Sequence, residues 1–227
     1  MAVGAAPSSD PPFVIRDCTL IMLATGVRAY TLGELMAGVR TVSADSIYYH
    51  FWGTLLQGSF EEREYNNDLA HWVRHSLHFH PLAEQLAVLD PSDYADLEAL
   101  RVDLFDLMDA SLYGSERLTW VRSAEPFEFL RHQIVVFDTG HRIEGPADMA
   151  EVVPHLSESS VFYHFVDARR RQADGRDDFR VWLDGVPGDH TALCNRLAGI
   201  DPYFGHLHEV RTAIAAAFAA HAGVPAP

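Results

Sequence analysis

The stretch Ser46-Ile47-Tyr48-Tyr49-His50-Phe51 returns 114 residues later as Ser160-Val161-Phe162-Tyr163-His164-Phe165. Extended outward at that offset, residues 13–52 lie over residues 127–166 without a gap. Ten of these forty pairs are identical: Phe13/Phe127, Thr25/Thr139, Gly26/Gly140, Arg28/Arg142, Val39/Val153, Ser43/Ser157, Ser46/Ser160, Tyr49/Tyr163, His50/His164 and Phe51/Phe165. The second segment then shortens by four residues, and the match resumes at Asp68/Asp178 and Trp72/Trp182. It runs on through Leu82/Leu193, Leu86/Leu197, Asp90/Asp201 and Pro91/Pro202. Matches that keep their order and apolar pattern over such a span indicate an internal duplication.

Each half reads alike. The apolar runs Leu20-Ile21-Met22-Leu23 and Ile134-Val135-Val136-Phe137, each closed by Thr-Gly, predict a buried strand followed by a turn. Leu32, Leu35, Met36 and Val39 recur at helical spacing, as do Pro146, Met149, Ala150 and Val153. Ser43 and Ser157 stand where a second helix needs an N-cap. A third helix starts at Asn67-Asp68 or Asp177-Asp178 and buries Trp72 or Trp182. A fourth ends at Asp90-Pro91 or Asp201-Pro202, and a last one spans 94–110 or 208–220.

The expected fold is therefore α+β and predominantly α-helical: two α-rich modules related by a pseudo-two-fold axis, each with a short β element. Residues 1–12 form a disordered N-terminal arm, 13–113 the first module, 114–126 a linker, 127–221 the second module and 222–227 a C-terminal tail. Whether the strands pair within a module or across the axis is left open.

The 227 residues, 48% of them hydrophobic, suffice for two small cores. With 17 Lys+Arg against 32 Asp+Glu, the formal charge of -15 disfavours nucleic acid and anionic membrane as partners. Arg169-Arg170-Arg171, followed by Asp174, Asp177 and Asp178, reads as a solvated helix end. Cys18 and Cys194 are expected as buried thiols in a reducing compartment. The first twelve residues lack a basic, apolar leader pattern, and no apolar run approaches the ~18 residues of a membrane span. A cytoplasmic location is expected.

Three motifs tempt a functional reading. Phe137-Asp138-Thr139-Gly140 resembles the aspartic-protease signature, but the other half has Ala24 where the second carboxylate belongs. The segment 42–51 resembles the recognition helix of bacterial helix-turn-helix repressors, yet it carries no Arg or Lys and includes Asp45. His71, His75 and His78 fall at i, i+4 and i+7, which would place them on one helical face as weak candidates for a metal. Val181 opposite His71 favours a plain polar face, so neither a metal nor any cofactor is expected.

The polar residues matched between halves form the best candidate ligand site: Thr25, Gly26, Arg28, Ser46, Tyr49 and His50, with Thr139, Gly140, Arg142, Ser160, Tyr163 and His164, to which Asn67 and Asp68 are added. A glycine turn, an arginine fork and a histidine could take a small anion or polar ligand. The same side chains could equally hydrogen-bond backbone groups inside a packed repeat.

With Ser46-Ile47-Tyr48-Tyr49-His50-Phe51, Asn66-Asn67-Asp68-Leu69-Ala70-His71-Trp72-Val73 and Leu82-Ala83-Glu84-Gln85-Leu86 in view, the chain resembles a bacterial and archaeal domain family of unknown function. Its pattern is an aromatic-Tyr-His step, an Asn-Asp-aromatic-Ala-x-Trp helix and a Leu-Ala-x-x-Leu helix. The family has no established reaction, and similar single modules occur appended to unrelated proteins, which implies binding rather than catalysis. The second half departs from the pattern at Arg176-Asp177-Asp178 and at Cys194. No nucleophile elbow, phosphate loop, metal triad or paired carboxylates are present. The sequence thus points to a non-catalytic protein-interaction or assembly module, with a protein partner or a second copy of itself. The alternative is a sensor domain for a small polar or anionic metabolite.

Overall fold

Phe13 and Ile15, and likewise Phe127 and Phe129, are buried two residues apart, the period of a half-buried strand, and Cys18 and His132 are buried three residues further on. In the computed structural model, which describes residues 11–56, 64–115, 118, 120–203 and 205–224, these positions open β1 (Phe13–Ala29) and β2 (Phe127–Ile143). The strands pair with each other in a two-stranded sheet. Thr25 Oγ1 donates to the Phe129 carbonyl at 2.6 Å and Thr139 Oγ1 to the Ile15 carbonyl at 2.7 Å. Partner numbers fall as β1 advances, so the pairing is antiparallel, and it joins the two sequence-matched segments rather than staying within either.

Both strands differ from the sequence expectation. Each runs seventeen residues, about three times the usual strand length. The Thr-Gly pairs do not end them: Gly26 and Gly140 take φ of +80° and +81° three residues before the strand ends, a conformation that favours glycine. The apolar runs beside them are not buried either. Ile21 and Met22 are 45% and 57% exposed, and Val135, Val136 and Phe137 are also open. A two-stranded ribbon has no second layer of its own, so a strand residue is buried only where a helix covers it.

The chain divides into two compact units, Leu20–Ile134 and Met1–Thr19 with Val135–Pro227. We call them the mid-chain and terminal units. The division falls between Thr19 and Leu20 in β1 and between Ile134 and Val135 in β2.

In the mid-chain unit, α1 (Leu32–Thr41) starts at Thr31, whose side chain accepts from the Glu34 amide. It buries Leu32, Leu35, Met36 and Val39. After Ser43 comes α2 (Ala44–Trp52), nearly all of it buried, and a 3-10 turn over Gly53–Leu56. α3 (Asp68–His75) is capped by Asn67, α4 (His80–Ala87) carries proline in its first turn, and α5 (Leu97–Tyr113) is capped by Asp96. The Asp96 carboxylate accepts from two amides, and this fixes the start of α5 three residues later than the periodicity suggested. α3 stops at His75, and His78 adopts φ 54, so His71, His75 and His78 do not share one helical face.

The terminal unit contains α6 (Pro146–Val152), a 3-10 turn at Val153–His155, and α7 (Glu158–Val161) capped by the Ser157 side chain. From α7 the chain continues as a π-helix over Phe162–Asp167 and then as α8 (Ala168–Arg171). α9 (Asp178–Leu183), α10 (Thr191–Ala198) and α11 (Leu207–Ala222) complete it. α11 buries Leu207, Val210, Ile214, Ala215, Ala217, Phe218 and Ala219. Two expected burials are only partial, since Trp182 and Cys194 are half-buried, Trp182 lying edge-on to Phe13 at the strand end. Trp72 is buried, and its Nε1 donates to the Glu125 carbonyl.

Candidate functional site

Residues four apart on a helix share a face, and in α2 this aims Ser46 and His50 at the same strand residue. Ser46 Oγ donates to the Leu130 carbonyl at 2.6 Å, and the Leu130 amide donates to His50 Nε2 at 3.1 Å. One serine and one histidine thus occupy both backbone polar groups of a strand residue, as a neighbouring strand would. The terminal unit repeats the arrangement: Ser160 Oγ donates to the Arg16 carbonyl at 2.8 Å, and the Arg16 amide donates to His164 Nε2 at 2.9 Å.

A histidine that accepts at Nε2 must carry its proton on Nδ1 when neutral. The partner at Nδ1 is the first residue of the next helix, Asp68 Oδ2 at 2.9 Å from His50 and Asp178 Oδ2 at 2.8 Å from His164. The imidazoles are 2% and 3% exposed and lie against Phe127 and Phe13 respectively. The lone pair that a general base would use is committed to a backbone amide in both cases. This geometry can lock a strand to a helix, but it offers no nitrogen to a substrate.

Asn67 serves its own helix. Its Oδ1 accepts from the Ala70 amide and its Nδ2 donates to the Leu86 carbonyl, which ties α3 to α4. At the corresponding place Asp177 caps α9 through the Arg180 amide and pairs with the Arg180 guanidinium, because a carboxylate has no donor to reproduce the second Asn67 bond.

The remaining matched residues lie on the ribbon or beside the histidines. Thr25 and Thr139 bridge the strands through their hydroxyls. Gly26 and Gly140 take positive φ within the strands, and Arg28 and Arg142 pair on the surface with Glu128 and Asp138. Hydrogen bonds from Arg142 and the Gly140 amide hold the Asp138 carboxyl down at about 2, so it is an ionised surface group rather than half of a proton-sharing pair. Tyr49 and Tyr163 are buried with their rings edge-on to His50 and His164. His75 pairs with Glu64, His71 and His78 are exposed, and among the described residues no group of three or more His, Cys, Asp or Glu is placed to hold a metal.

The arginine triplet closes a helix with Arg170 and Arg171 exposed, as its composition suggests, but its guanidiniums are engaged with neighbouring groups. Arg169 lies over the Phe165 ring and donates to the Ile200 carbonyl. Arg170 pairs with Asp167. Arg171 reaches Asp167 and Asp178 at 2.9 Å each, donates to the Tyr163 carbonyl and covers the Tyr163 ring. Burial alone would raise the Asp178 carboxyl, but hydrogen bonds from His164 and Arg171 outweigh it and hold the group below the ordinary aspartate value. Asp167, almost fully buried within the π-helix, went unnoticed in the sequence; its signal is the Asp-x-x-Arg-Arg spacing, which places both arginines one turn further on. Gly53 occupies the matched position in the mid-chain unit and has no side chain with which to repeat the network. Burial and the nearby Asp17 and Asp167 push the Cys18 thiol up to about 12, and its sulfur donates to the Ser159 carbonyl. It is an inert thiol, not a nucleophile.

Fold and site together define a helix-rich protein of mixed α and β structure whose long strands are gripped by Ser-x-x-x-His clips, each braced by an aspartate. The chain belongs to the family of unknown function DUF5752, whose model matches residues 10–219. Its fold is similar to that of OrfY from Thermoproteus tenax, with a TM-score of 0.80 and 25% sequence identity over 95% of this chain and 97% of that one. No curated protein matches it.

Proposed function

We propose that the protein is a non-catalytic interaction or assembly module, built as two repeats of one sequence unit and working in the cytoplasm. One observation carries the reading: the matched serines, histidines and arginines are engaged in holding the fold, while apolar strand residues remain 39–57% exposed. In the mid-chain unit Ile21 and Met22 are open, and in the terminal unit Val135, Val136 and Phe137 are. Consecutive exposed apolar residues on the strands of a two-stranded sheet are the usual mark of a surface made to be covered. Duplication is supported by the equivalent hydrogen bonds of Ser46 and Ser160, of His50 and His164, and of Thr25 and Thr139. The cytoplasmic setting is supported by two free cysteines, and no helix among the described residues is long and apolar enough to cross a membrane.

The sensor alternative draws less support, because Arg28, Arg142 and Arg171 already have carboxylate partners that an anionic ligand would have to displace. The test is native purification with light scattering of the recovered species. A stoichiometric protein partner or a defined homo-oligomer is expected. A chain that is monomeric and alone, yet turns over or retains a metabolite, would reverse the conclusion.

A further inference from the structure

We propose that the outer face of α5 docks a basic, amphipathic segment of a partner protein, an assignment that rests on the interaction-module reading above. α5 and α11 are seventeen and sixteen residues long, but they are covered very differently. Where α11 buries seven positions, α5 buries Leu100, Leu104 and Met108 among the described residues. Opposite that narrow seam, Glu98, Val102, Asp106, Asp109 and Tyr113 fall within about 80° of one another around the helix axis, given 3.6 residues per turn. All five are exposed, Tyr113 to 96%, and Trp120 further along the same unit is 84% exposed.

The charge on this face selects the partner. Helices are stabilised by cations near their C-terminal ends, where the backbone dipole is negative. α1, α3 and α11 follow the rule with Arg40, with Arg74 and His75, and with His221. The last turn of α5 has no basic residue, and Asp106 and Asp109 add negative charge to its C-terminal half. Glu98 is neutralised by Arg101, but Asp106 and Asp109 have no ion-pair partner among the described residues. A lysine or arginine from outside would relieve this repulsion and could lie on the open Tyr113 ring, while an apolar neighbour covers Val102. An acidic partner would be repelled by a chain of charge -15.

The experiment titrates the intact chain against a fluorescent Lys/Arg-rich amphipathic peptide and against its Glu-substituted counterpart at several salt concentrations. Binding of the basic peptide alone, weakening with salt, is expected. Asp106→Lys with Asp109→Lys should weaken it by about tenfold or more. Glu144→Lys with Glu151→Lys, the same charge change at exposed sites of the terminal unit, should leave it within about twofold if the contact is local. Tyr113→Ala alters no charge and no buried contact, so it should weaken binding several-fold in a chain that melts like the parent. Equal losses for the two charge pairs, or no loss with Tyr113→Ala, would overturn the docking surface. A stoichiometric natural partner that survives the α5 changes would also overturn it while leaving the interaction-module reading intact. A parent chain that purifies alone would instead defeat that broader reading.

Discussion

Ser160 and His164 hold the two backbone polar groups of a single strand residue, Arg16, the hydroxyl at its carbonyl and the imidazole at its amide. Neither contact can be kept if the strand slips by one residue, because the carbonyl and amide of its neighbour point to the opposite side. The pair therefore sets strand register in the terminal unit, as Ser46 and His50 do on Leu130 in the mid-chain unit.

Removing one jaw should leave a backbone group of Arg16 without its side-chain partner. Ser160→Ala is expected to cost about 1 kcal/mol, and His164→Ala about 2–3 kcal/mol because the amide of Arg16 and the carboxylate of Asp178 both lose a partner. Since the two side chains hold one residue, their effects should couple by about 0.5 kcal/mol or more in a double-mutant cycle. Urea unfolding of the four proteins measures this, and strict additivity would refute a shared grip.

In the folded chain His50 and His164 should both carry a ring proton on Nδ1 and none on Nε2, because each Nε2 accepts from an amide. Long-range nitrogen–proton correlation spectra distinguish the tautomers directly. Nε2–H forms at either position would contradict the clip.

Acid should attack the terminal unit through Asp178. Its carboxyl is held below the ordinary aspartate value, with the hydrogen bonds from His164 and Arg171 overcoming the effect of burial. A group with a lowered folded value contributes stability above its unfolded value, about 3.9, and that contribution is lost as pH falls through the folded value. Asp178→Asn should therefore be less stable than the parent at neutral pH, and the gap should close below about pH 4. Stability curves of the two proteins against pH provide the check, and a gap that widens in acid would show the sign to be wrong.

Two glycines of α1 should respond oppositely to alanine. Gly33 faces open space, so Gly33→Ala should stabilise by about 0.4–1 kcal/mol through the unfolded chain. A Cβ at Gly38 would run into the Phe129 ring, so Gly38→Ala should destabilise by about 1–3 kcal/mol despite the better helix propensity. Thermal melts of both variants decide, and equal shifts would mean that Phe129 does not pack on α1.

Much of this molecule was legible in one dimension. Helix starts at Asn67, Asp177 and Ser157 follow from local capping chemistry, which acts within three residues and so is written in the sequence itself. The correspondence of Ser46, His50 and Asp68 with Ser160, His164 and Asp178 was also visible, because a spacing of four residues implies a shared helix face wherever it occurs. What these residues hold was not visible. Leu130 and Arg16 lie far along the chain from their clips, and only the pairing of β1 with β2 brings them there. The exposure of Met22 and Val135 escaped the sequence for the same reason. An apolar run reports a preference for burial, but whether a second layer arrives to bury it depends on where distant helices pack, and hydropathy along the chain carries no record of that.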